Sequence, residues 1–354
     1  MTTKKTVLVS SLDWGLGHAS RTVPLVQKLL ADQHTVIIAC TKKQEIYFNE
    51  FFGDQVQYIK CPEYNITYSS ILPLYLKIAI QFPKIILKSF LENLWLKKIV
   101  RQKNVEVVLS DNRFGMYNKE IRSIYLTHQI HVKTPLRFNL ADYWHKKMIR
   151  NFSEVWIPDV ENGLSGELSF PYPKKHPPHK YIGILSALKK VESYHKKSNQ
   201  LLIILSGPEP QREILEKKLI EILPKINWSG EIIFVLGKQT GTIETSYKGN
   251  VKYFSRLSGQ SLATLILESS LVICRSGYST IMDLCVLESS GVLIPTPGQT
   301  EQEYLAHRLF LKYGIPYLNQ DKITSLTLLE AIKKAMEIRF PRYENQYFSS
   351  NPLL

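Results

Sequence analysis

An α/β protein with two doubly wound, Rossmann-like parallel sheets is predicted by three features of this sequence. Short apolar runs alternate with longer amphipathic ones along most of the chain, the pattern of β–α–β units. That alternation is interrupted near mid-chain by Phe170–His179, where Pro171, Pro173, Pro177 and Pro178 stand among basic residues and read as a loop. The length of 354 residues exceeds one ordinary core and fits two domains of typical size.

In order, Thr6–Ser10 reads as a strand, Ser20–Leu30 as a helix and Thr35–Cys40 as a strand. A polar helix follows near Lys42–Phe51, then a strand at Val56–Ile59. Leu72–Arg101 reads as mostly helical, with a break near Pro83. Val105–Ser110, Ser123–Thr127 and Glu154–Pro158 read as further strands. After the proline-rich loop the alternation resumes. Leu201–Ser206, Glu231–Leu236, Leu271–Arg275 and Val292–Pro295 read as strands, and Arg212–Leu223, Ser261–Glu268, Thr280–Glu288, Gln302–Tyr313 and Leu326–Glu337 as helices. The expected organisation is a first domain over 1–170, a linker over 171–198 and a second domain over 199–338. A tail over 339–354 follows, with a return to the first domain as one option. Ligands of such sheets bind beyond the carboxyl ends of the strands, and every motif described next falls at such an end.

The composition is that of a globular protein, with 44% hydrophobic and 21% charged residues. Cys40, Cys61, Cys274 and Cys285 form no Cys-x-x-Cys pair and read as buried free thiols of a reducing compartment. Residues 1–6 carry no apolar signal segment, so the expected location is the cytoplasm. The net charge of +14 calls for an anionic partner, such as phosphorylated substrates, an acidic membrane surface or nucleic acid, unless it is a solubilising surface. Basic residues are spread along the chain and no RNA- or DNA-binding module is recognisable, so nucleic acid is not the expected partner.

Leu271-Val272-Ile273-Cys274 reads as a buried strand that Ser276-Gly277 turns into a helix. Ser276 is a good helix cap, and Gly277 lets a ligand approach the backbone. A helix N-terminus suits a diphosphate, and Arg275 adds a cation beside it. At helical spacing Ser276, Thr280 and Asp283 share one face, which places Asp283 two turns from the phosphate end, in position to accept from ribose hydroxyls. A capped helix with an ordinary exposed acid has the same spacing. The next strand end, Pro295–Tyr304, carries Gln299, Gln302 and Glu303, whose amide and carboxyl groups suit sugar hydroxyls. Acids are also favourable at any helix start.

In the first half, Gly15 and Gly17 permit a tight turn after the first strand, and His18 opens the following helix. The segment is no dinucleotide fingerprint. Ser20 stands where a third glycine belongs, and Cys40-Thr41-Lys42-Lys43 lacks the ribose-binding acid. His18 is a candidate general base, with a backbone-bonded helix-start residue as the alternative. Asp13, Asp111 in Ser110-Asp111-Asn112-Arg113, and His128 with Gln129 in Thr127-His128-Gln129-Ile130-His131 are further base or acceptor-side candidates at strand ends.

Together, Cys274–Asp283 and Pro295–Tyr304 resemble the C-terminal domain of family 28 glycosyltransferases, a group that includes the N-acetylglucosaminyltransferase completing lipid II. Gly15-Leu16-Gly17-His18 resembles that family's Gly-Gly-His loop, which faces the acceptor. The resemblance implies a GT-B fold, in which the two Rossmann-like domains face a central cleft. It also implies a UDP-linked sugar donor, an N-acetylhexosamine among the sugars, a lipid-linked or glycan acceptor, and a role in the cell envelope. Ser206-Gly207 stands where the family has a Gly/Ser-rich loop near the donor phosphates. Asp283 replaces a glutamate that holds the ribose, one methylene longer. Gln302 matches the first member of a Gln-Gln pair at the donor sugar, and Glu303 replaces the second.

Leu72–Trp95 is strongly apolar but holds no uncharged run of about 18 residues, so it is not expected to span a bilayer. Lys77, Gln81, Lys84 and Lys88 form a narrow polar stripe on it. The rest is expected to pack on the sheet, or partly to dip into an anionic membrane on the inner face. The expected reaction is an inverting sugar transfer in which His18 or a nearby carboxylate deprotonates the acceptor. Helix N–H groups and Arg275 stabilise the leaving nucleoside diphosphate. No Asp-x-Asp pair is present, so neither a metal nor another cofactor is expected. A sugar-nucleotide epimerase of the same architecture and a non-catalytic binding protein are the alternatives.

Overall fold

The computed structural model describes residues 3–66, 74–134, 140–197, 199–238 and 243–343, with only the backbone of 74–79. It contains two compact units, one formed by residues up to 66 with 75–187, the other by 188–343. In the first unit the order is β1 (Thr6–Ser11), α1 (Leu16–Ala31), β2 (Thr35–Cys40), α2 (Lys42–Phe52), β3 (Gln57–Lys60), α3 (Leu74–Lys103), β4 (Val107–Asp111), β5 (Arg122–Leu126), α4 (Leu140–Ile149), β6 (Glu154–Ile157) and β7 (His179–Tyr181). The sheet runs β3-β2-β1-β4-β5-β6-β7 with every pairing parallel. The order reverses between β1 and β4, which places the loops after those two strands side by side.

The second unit holds β8 (Leu201–Ile204), α5 (Gln211–Ile222), β9 (Ile232–Val235), β10 (Thr245–Lys248), β11 (Val251–Phe254), α6 (Gly259–Glu268), β12 (Leu271–Cys274), α7 (Tyr278–Val286), β13 (Gly291–Leu293), α8 (Thr300–Tyr313) and α9 (Ser325–Met336). Its sheet runs β10-β11-β9-β8-β12-β13, parallel except for β10 against β11. Here the reversal falls between β8 and β12.

The central strands β1, β2, β4, β8, β9 and β12 are largely apolar runs because helices cover both faces of the sheet. Leu8, Ile37 and Val108 pack with Leu96 and Val100 of α3 on one side of the first sheet. Leu201, Ile203 and Ile273 pack with Leu215 and Leu219 of α5 in the second unit. Local signals agree with the packing. The Thr41 side chain accepts from Gln44 N–H and the Gln44 side chain accepts from Thr41 N–H, a capping box that starts α2. All four cysteines are buried and unpaired.

Four elements differ from the sequence reading, one of them α4, for which no helix was read. Pro83 does not break α3, which runs unbroken from Leu74 to Lys103. Proline in a helix interior costs about 3 kcal/mol, and tertiary packing of the neighbouring residues offsets it: Ile85 is buried, and Phe82 packs against Trp144 of α4 at 5.9 Å. His179–Tyr181, read within a linker, is the edge strand β7, paired with Val155–Ile157. Three residues beside two prolines are too few to show a period. The β10–β11 hairpin was not anticipated. It turns on Gly249-Asn250, with Gly249 at φ +62°, a two-residue loop whose strands are half-exposed or exposed and carry little apolar pattern. Residues 344–354 of the expected tail lie outside the described residues.

A buried ion pair holds the loop after β4. The Glu92 carboxylate accepts from Arg113 Nε at 2.6 Å, from the Tyr64 hydroxyl at 2.8 Å and from the Gly115 N–H at 2.9 Å. Gly115 must be glycine, since a Cβ there would stand 2.1 Å from the Ser89 carbonyl oxygen. Burial pushes the Glu92 carboxyl up, against the opposing pull of Arg113. This network fixes the backbone two residues beyond Asp111.

Candidate active site

In the second unit, the loops after β8, β12 and β13 converge. Gly207 follows β8 at φ +100°, a conformation few side chains adopt, and a Cβ on it would lie 3.7 Å from Thr296 Oγ1. The N-cap of α7 is Gly277, without a side-chain cap, and a Cβ at Gly277 would meet nothing nearer than Thr280 Oγ1 at 4.0 Å. Ser276 is therefore not the cap. Its buried hydroxyl donates instead to the Gln302 carbonyl oxygen at 2.8 Å. The Gln302 side chain is only 9% exposed and braces the turn after β13. Its Oε1 accepts from Thr296 N–H at 2.9 Å, and its Nε2 donates to Gln299 Oε1 at 2.5 Å. Glu303 accepts from Gly298 N–H at 2.9 Å. The amides and acid read as sugar contacts thus shape the turn that carries them. Ser206 and Asp283 are half-buried, at the end of β8 and one turn into α7.

Arg275 does not stand beside a phosphate position. It is 1% exposed and turned inward. Its Nη1 donates to the carbonyls of Ile294 and Pro295 at 3.3 and 3.2 Å, and its Nη2 to Gln211 O at 2.8 Å and Gln320 Oε1 at 2.6 Å. It ties strand ends together, because backbone carbonyls leaving β13 and entering α5 need donors that water cannot supply there. No carboxylate pairs with it among the described residues, and burial lowers its pKa to about 10. Its Nε and the Thr296 hydroxyl are buried without a partner. The sequence offered no sign of either, since an orphaned atom exists only relative to its folded neighbours.

In the first unit, α1 starts after Gly15 at φ +123°. His18 lies in its first turn, with 20% of its side chain exposed, and Asp111 is fully buried at the end of β4. His18 Nδ1 is 3.2 Å from both Asp111 oxygens. Arg21, one turn along α1, donates from Nε to Asp111 Oδ2 at 2.8 Å, and its Nη2 forms a second, shorter bond to Oδ1. Arg21 Nη2 also lies 2.9 Å from His18 Nδ1, and Nη1 lies 2.9 Å from Nδ1 of buried His128. Three candidates, His18, Asp111 and His128, are thus brought into one cluster. The spacing His18-x-x-Arg21, which puts both on one helix face, was the available signal for Arg21. Asp13 is engaged elsewhere, accepting from Tyr64 N–H at 3.1 Å, with its other oxygen buried and unpartnered. Gln129 closes a backbone turn on Thr127 Oγ1 at 3.1 Å. Gly17 is exposed, and its carbonyl accepts from the Ser20 hydroxyl at 3.0 Å.

Electrostatics divide the cluster into a neutral ring and an anion. Burial holds His18 below the ordinary imidazole value, although Asp111 pulls the other way. Burial also works against the Asp111 carboxylate, but Arg21, then His18, outweigh it and hold the carboxyl below the usual range. In the tautomer whose Nδ1–H donates to Asp111, the lone pair at His18 Nε2 is the one on which an incoming hydroxyl proton would land.

Residues 217–347 match the family described as glycosyltransferase family 28 C-terminal domain. Curated relatives include the UDP-N-acetylglucosamine–N-acetylmuramyl-(pentapeptide) pyrophosphoryl-undecaprenol N-acetylglucosamine transferase of Prochlorococcus marinus (strain MIT 9515). It is 27% identical over 143 residues, 39% of this chain and 38% of that protein. The enzyme of the same name from Exiguobacterium sp. (strain ATCC BAA-1283 / AT1b) is 24% identical over 155 residues, 42% and 43% of the two chains. The chain spans about two fifths of the length of these relatives. Among solved structures, the glycotransferase of kitacinnamycin superposes with a TM-score of 0.64 at 13% identity, covering 99% of this chain and 92% of that one. CalG4, the calicheamicin glycosyltransferase, gives 0.64 at 10%, covering 95% and 90%. Acinetobacter baumannii MurG gives 0.57 at 13%, covering 97% and 92%. The chain therefore has the GT-B fold of glycosyltransferases, and its second unit resembles family 28.

Because nothing among the described residues bonds the Thr296 hydroxyl, Thr296→Val replaces an unsatisfied buried atom by a methyl of the same shape. Urea unfolding is expected to show unchanged stability or a gain of up to about 1 kcal/mol. A loss of that size would mean the hydroxyl has a partner.

Proposed function

We propose that this chain is an inverting glycosyltransferase that moves a sugar from a nucleotide-sugar donor, UDP-linked, to a glycan or lipid-linked acceptor. The observation that carries this reading is the His18–Asp111 pair at the strand-order reversal of the first unit: a neutral imidazole aligned on a buried carboxylate. The resemblance of the second unit to family 28 supports a nucleotide-sugar donor. The names of the relatives support UDP and N-acetylglucosamine as the first donor to try.

In this reading, the acceptor hydroxyl attacks the anomeric carbon from the face opposite the nucleotide. A carbon–oxygen bond to the acceptor forms as the bond to the phosphate oxygen breaks, so configuration inverts. His18 Nε2 takes the hydroxyl proton, and Asp111 stabilises the imidazolium. The diphosphate leaves with its charge against the start of α7 and the Gly207 loop, whose missing side chain leaves room for it. Asp283 accepts from the ribose. Arg275 acts only through the strand ends it ties. Helix N–H groups carry the leaving-group charge in this scheme, so we propose that no metal is required.

UDP is expected to raise the melting temperature of the wild type and not of Asp283→Ala, and a variant that responds unchanged would sink the donor assignment. His18→Ala is expected to lower UDP release by about 10²–10⁴-fold while still binding UDP. A neutral His18 with a lowered value predicts turnover that is flat through neutrality and falls only as pH drops below about 6.5. The same assay in EDTA should run unchanged. An isomerised sugar nucleotide formed without acceptor would mark an epimerase instead.

We also propose that the first unit meets an anionic membrane surface through α3 and α4. Leu87, Phe90 and Leu94 of α3 and Leu140 and Tyr143 of α4 are exposed, and Phe82–Trp144 packing holds the two helices together. Lys84, Lys88, Lys146 and Lys147 lie among them. The Lys77 side chain is outside the described residues. No helix among the described residues is long and apolar enough to cross a membrane. Sedimentation with phosphatidylglycerol vesicles, weakened by salt and by Phe90→Asp, is expected; no binding to such vesicles at low salt would refute it.

A further inference from the structure

Arg21 has no role in the scheme above, yet it touches every other member of the His18 cluster. It is 2% exposed, bonds both oxygens of Asp111, and approaches Nδ1 of His18 and of His128 at 2.9 Å each. A guanidinium offers five N–H donors and keeps its charge at any working pH. The charged and titratable groups that act on His18 are Asp111, Arg21 and His128. No acid lies in the first turn of α1.

This arrangement poses a problem that Arg21 resolves. A buried carboxylate 3.2 Å from an imidazole attracts a proton onto it. Burial resists that proton most, and Arg21 is the next opposing influence; without the guanidinium the pull of Asp111 would act more fully on the ring, and an imidazolium accepts no proton from a hydroxyl. We propose that Arg21 is a positioning residue that adds to burial in keeping His18 neutral and ready to act as a base, by neutralising Asp111 in advance and fixing its carboxylate beside Nδ1. Asp111 remains able to accept a hydrogen bond from Nδ1–H, so the imidazolium formed during the reaction is stabilised, while the resting ring stays neutral. One carboxylate serves both needs because a permanent cation shares it. The catalytic meaning rests on His18 being the base. The ring can be titrated directly, so the two assignments fail separately.

The experiment is an NMR titration of His18 in the full-length protein, its resonance assigned with His18→Gln, together with the pH profile of UDP release from UDP-N-acetylglucosamine. In Arg21→Met the His18 midpoint is expected to rise by about one to three pH units. The acidic limb of turnover should move with it, and turnover should recover at high pH. Arg21→Lys, which keeps the charge, should titrate near the wild type, and Arg21→Met/Asp111→Asn should return the midpoint to the wild-type value or below. A midpoint unmoved or lowered in Arg21→Met, with turnover lost equally at every pH, would make Arg21 a structural brace only and overturn the proposal. If Arg21→Met does not fold, Asp111→Asn decides the matter. With Arg21 left unopposed the midpoint must fall, and an unchanged or raised one refutes the inference. Should no UDP-N-acetylglucosamine turnover be found, the titration alone still stands as the test.

Discussion

Parallel pairing of β1 with β4 in the first unit, and of β8 with β12 in the second, is the constraint from which both candidate sites follow. Each pairing joins strands distant in sequence, and each marks the point where the strand order reverses. α1 follows β1 while β4 runs through a loop to β5, and α5 and α7 follow β8 and β12, so the loops beyond the carboxyl ends of each pair lie side by side. Ser11 in register with Asp111 brings the loop after β1, and with it α1, beside the end of β4. Cys274 in register with Ile204 likewise brings the start of α7 beside the Gly207 loop.

Three of the places where the protein buries charge are treated differently. Glu92 and Arg113 neutralise one another and are further satisfied by Tyr64, Gly115 and backbone carbonyls, so the pair is closed and fixes a loop. Arg275 pairs with no carboxylate among the described residues and is held by carbonyl oxygens of the backbone and of Gln320. Arg21 and Asp111 lie between these cases. Their pair is matched in charge, but His18 and His128 are drawn into the same network through their ring nitrogens. A closed pair confers rigidity, whereas a pair shared with a titratable ring couples its charge to a proton that can move.

Rigidity around the sites comes from side chains that the sequence presents as ligand groups. Gln302 and Glu303 carry the amide and acid expected at a sugar, yet both bond the backbone of the turn from Thr296 to Gln299. Ser276, a good cap by residue type, bonds a carbonyl on the neighbouring loop. Such bonds set where the turn lies relative to the start of α7. Their partners are 3 to 26 residues away in the chain and lie on the turn or the neighbouring loop, which residue type alone does not reveal.

Local sequence determined the class of the fold and the addresses of the sites. Apolar runs of strand length between amphipathic helices specify parallel sheets wherever both faces are covered, and glycine, serine or proline at a strand end marks a loop free to carry function. Gly15, Gly17, His18, Asp111 and His128 were visible on those grounds, as were Gly207 and Gly277. Tertiary structure alone decided the partners. It placed Arg21 on Asp111, turned Arg275 away from the loop it seemed to serve, left Asp13 outside the His18 cluster, carried α3 through Pro83 and added β7 to the sheet edge. The physical reason is range. Periodicity and turn chemistry act over a few residues, whereas desolvation and charge pairing depend on what the fold brings within about 4 Å, and here those partners lie as much as 107 positions apart along the chain.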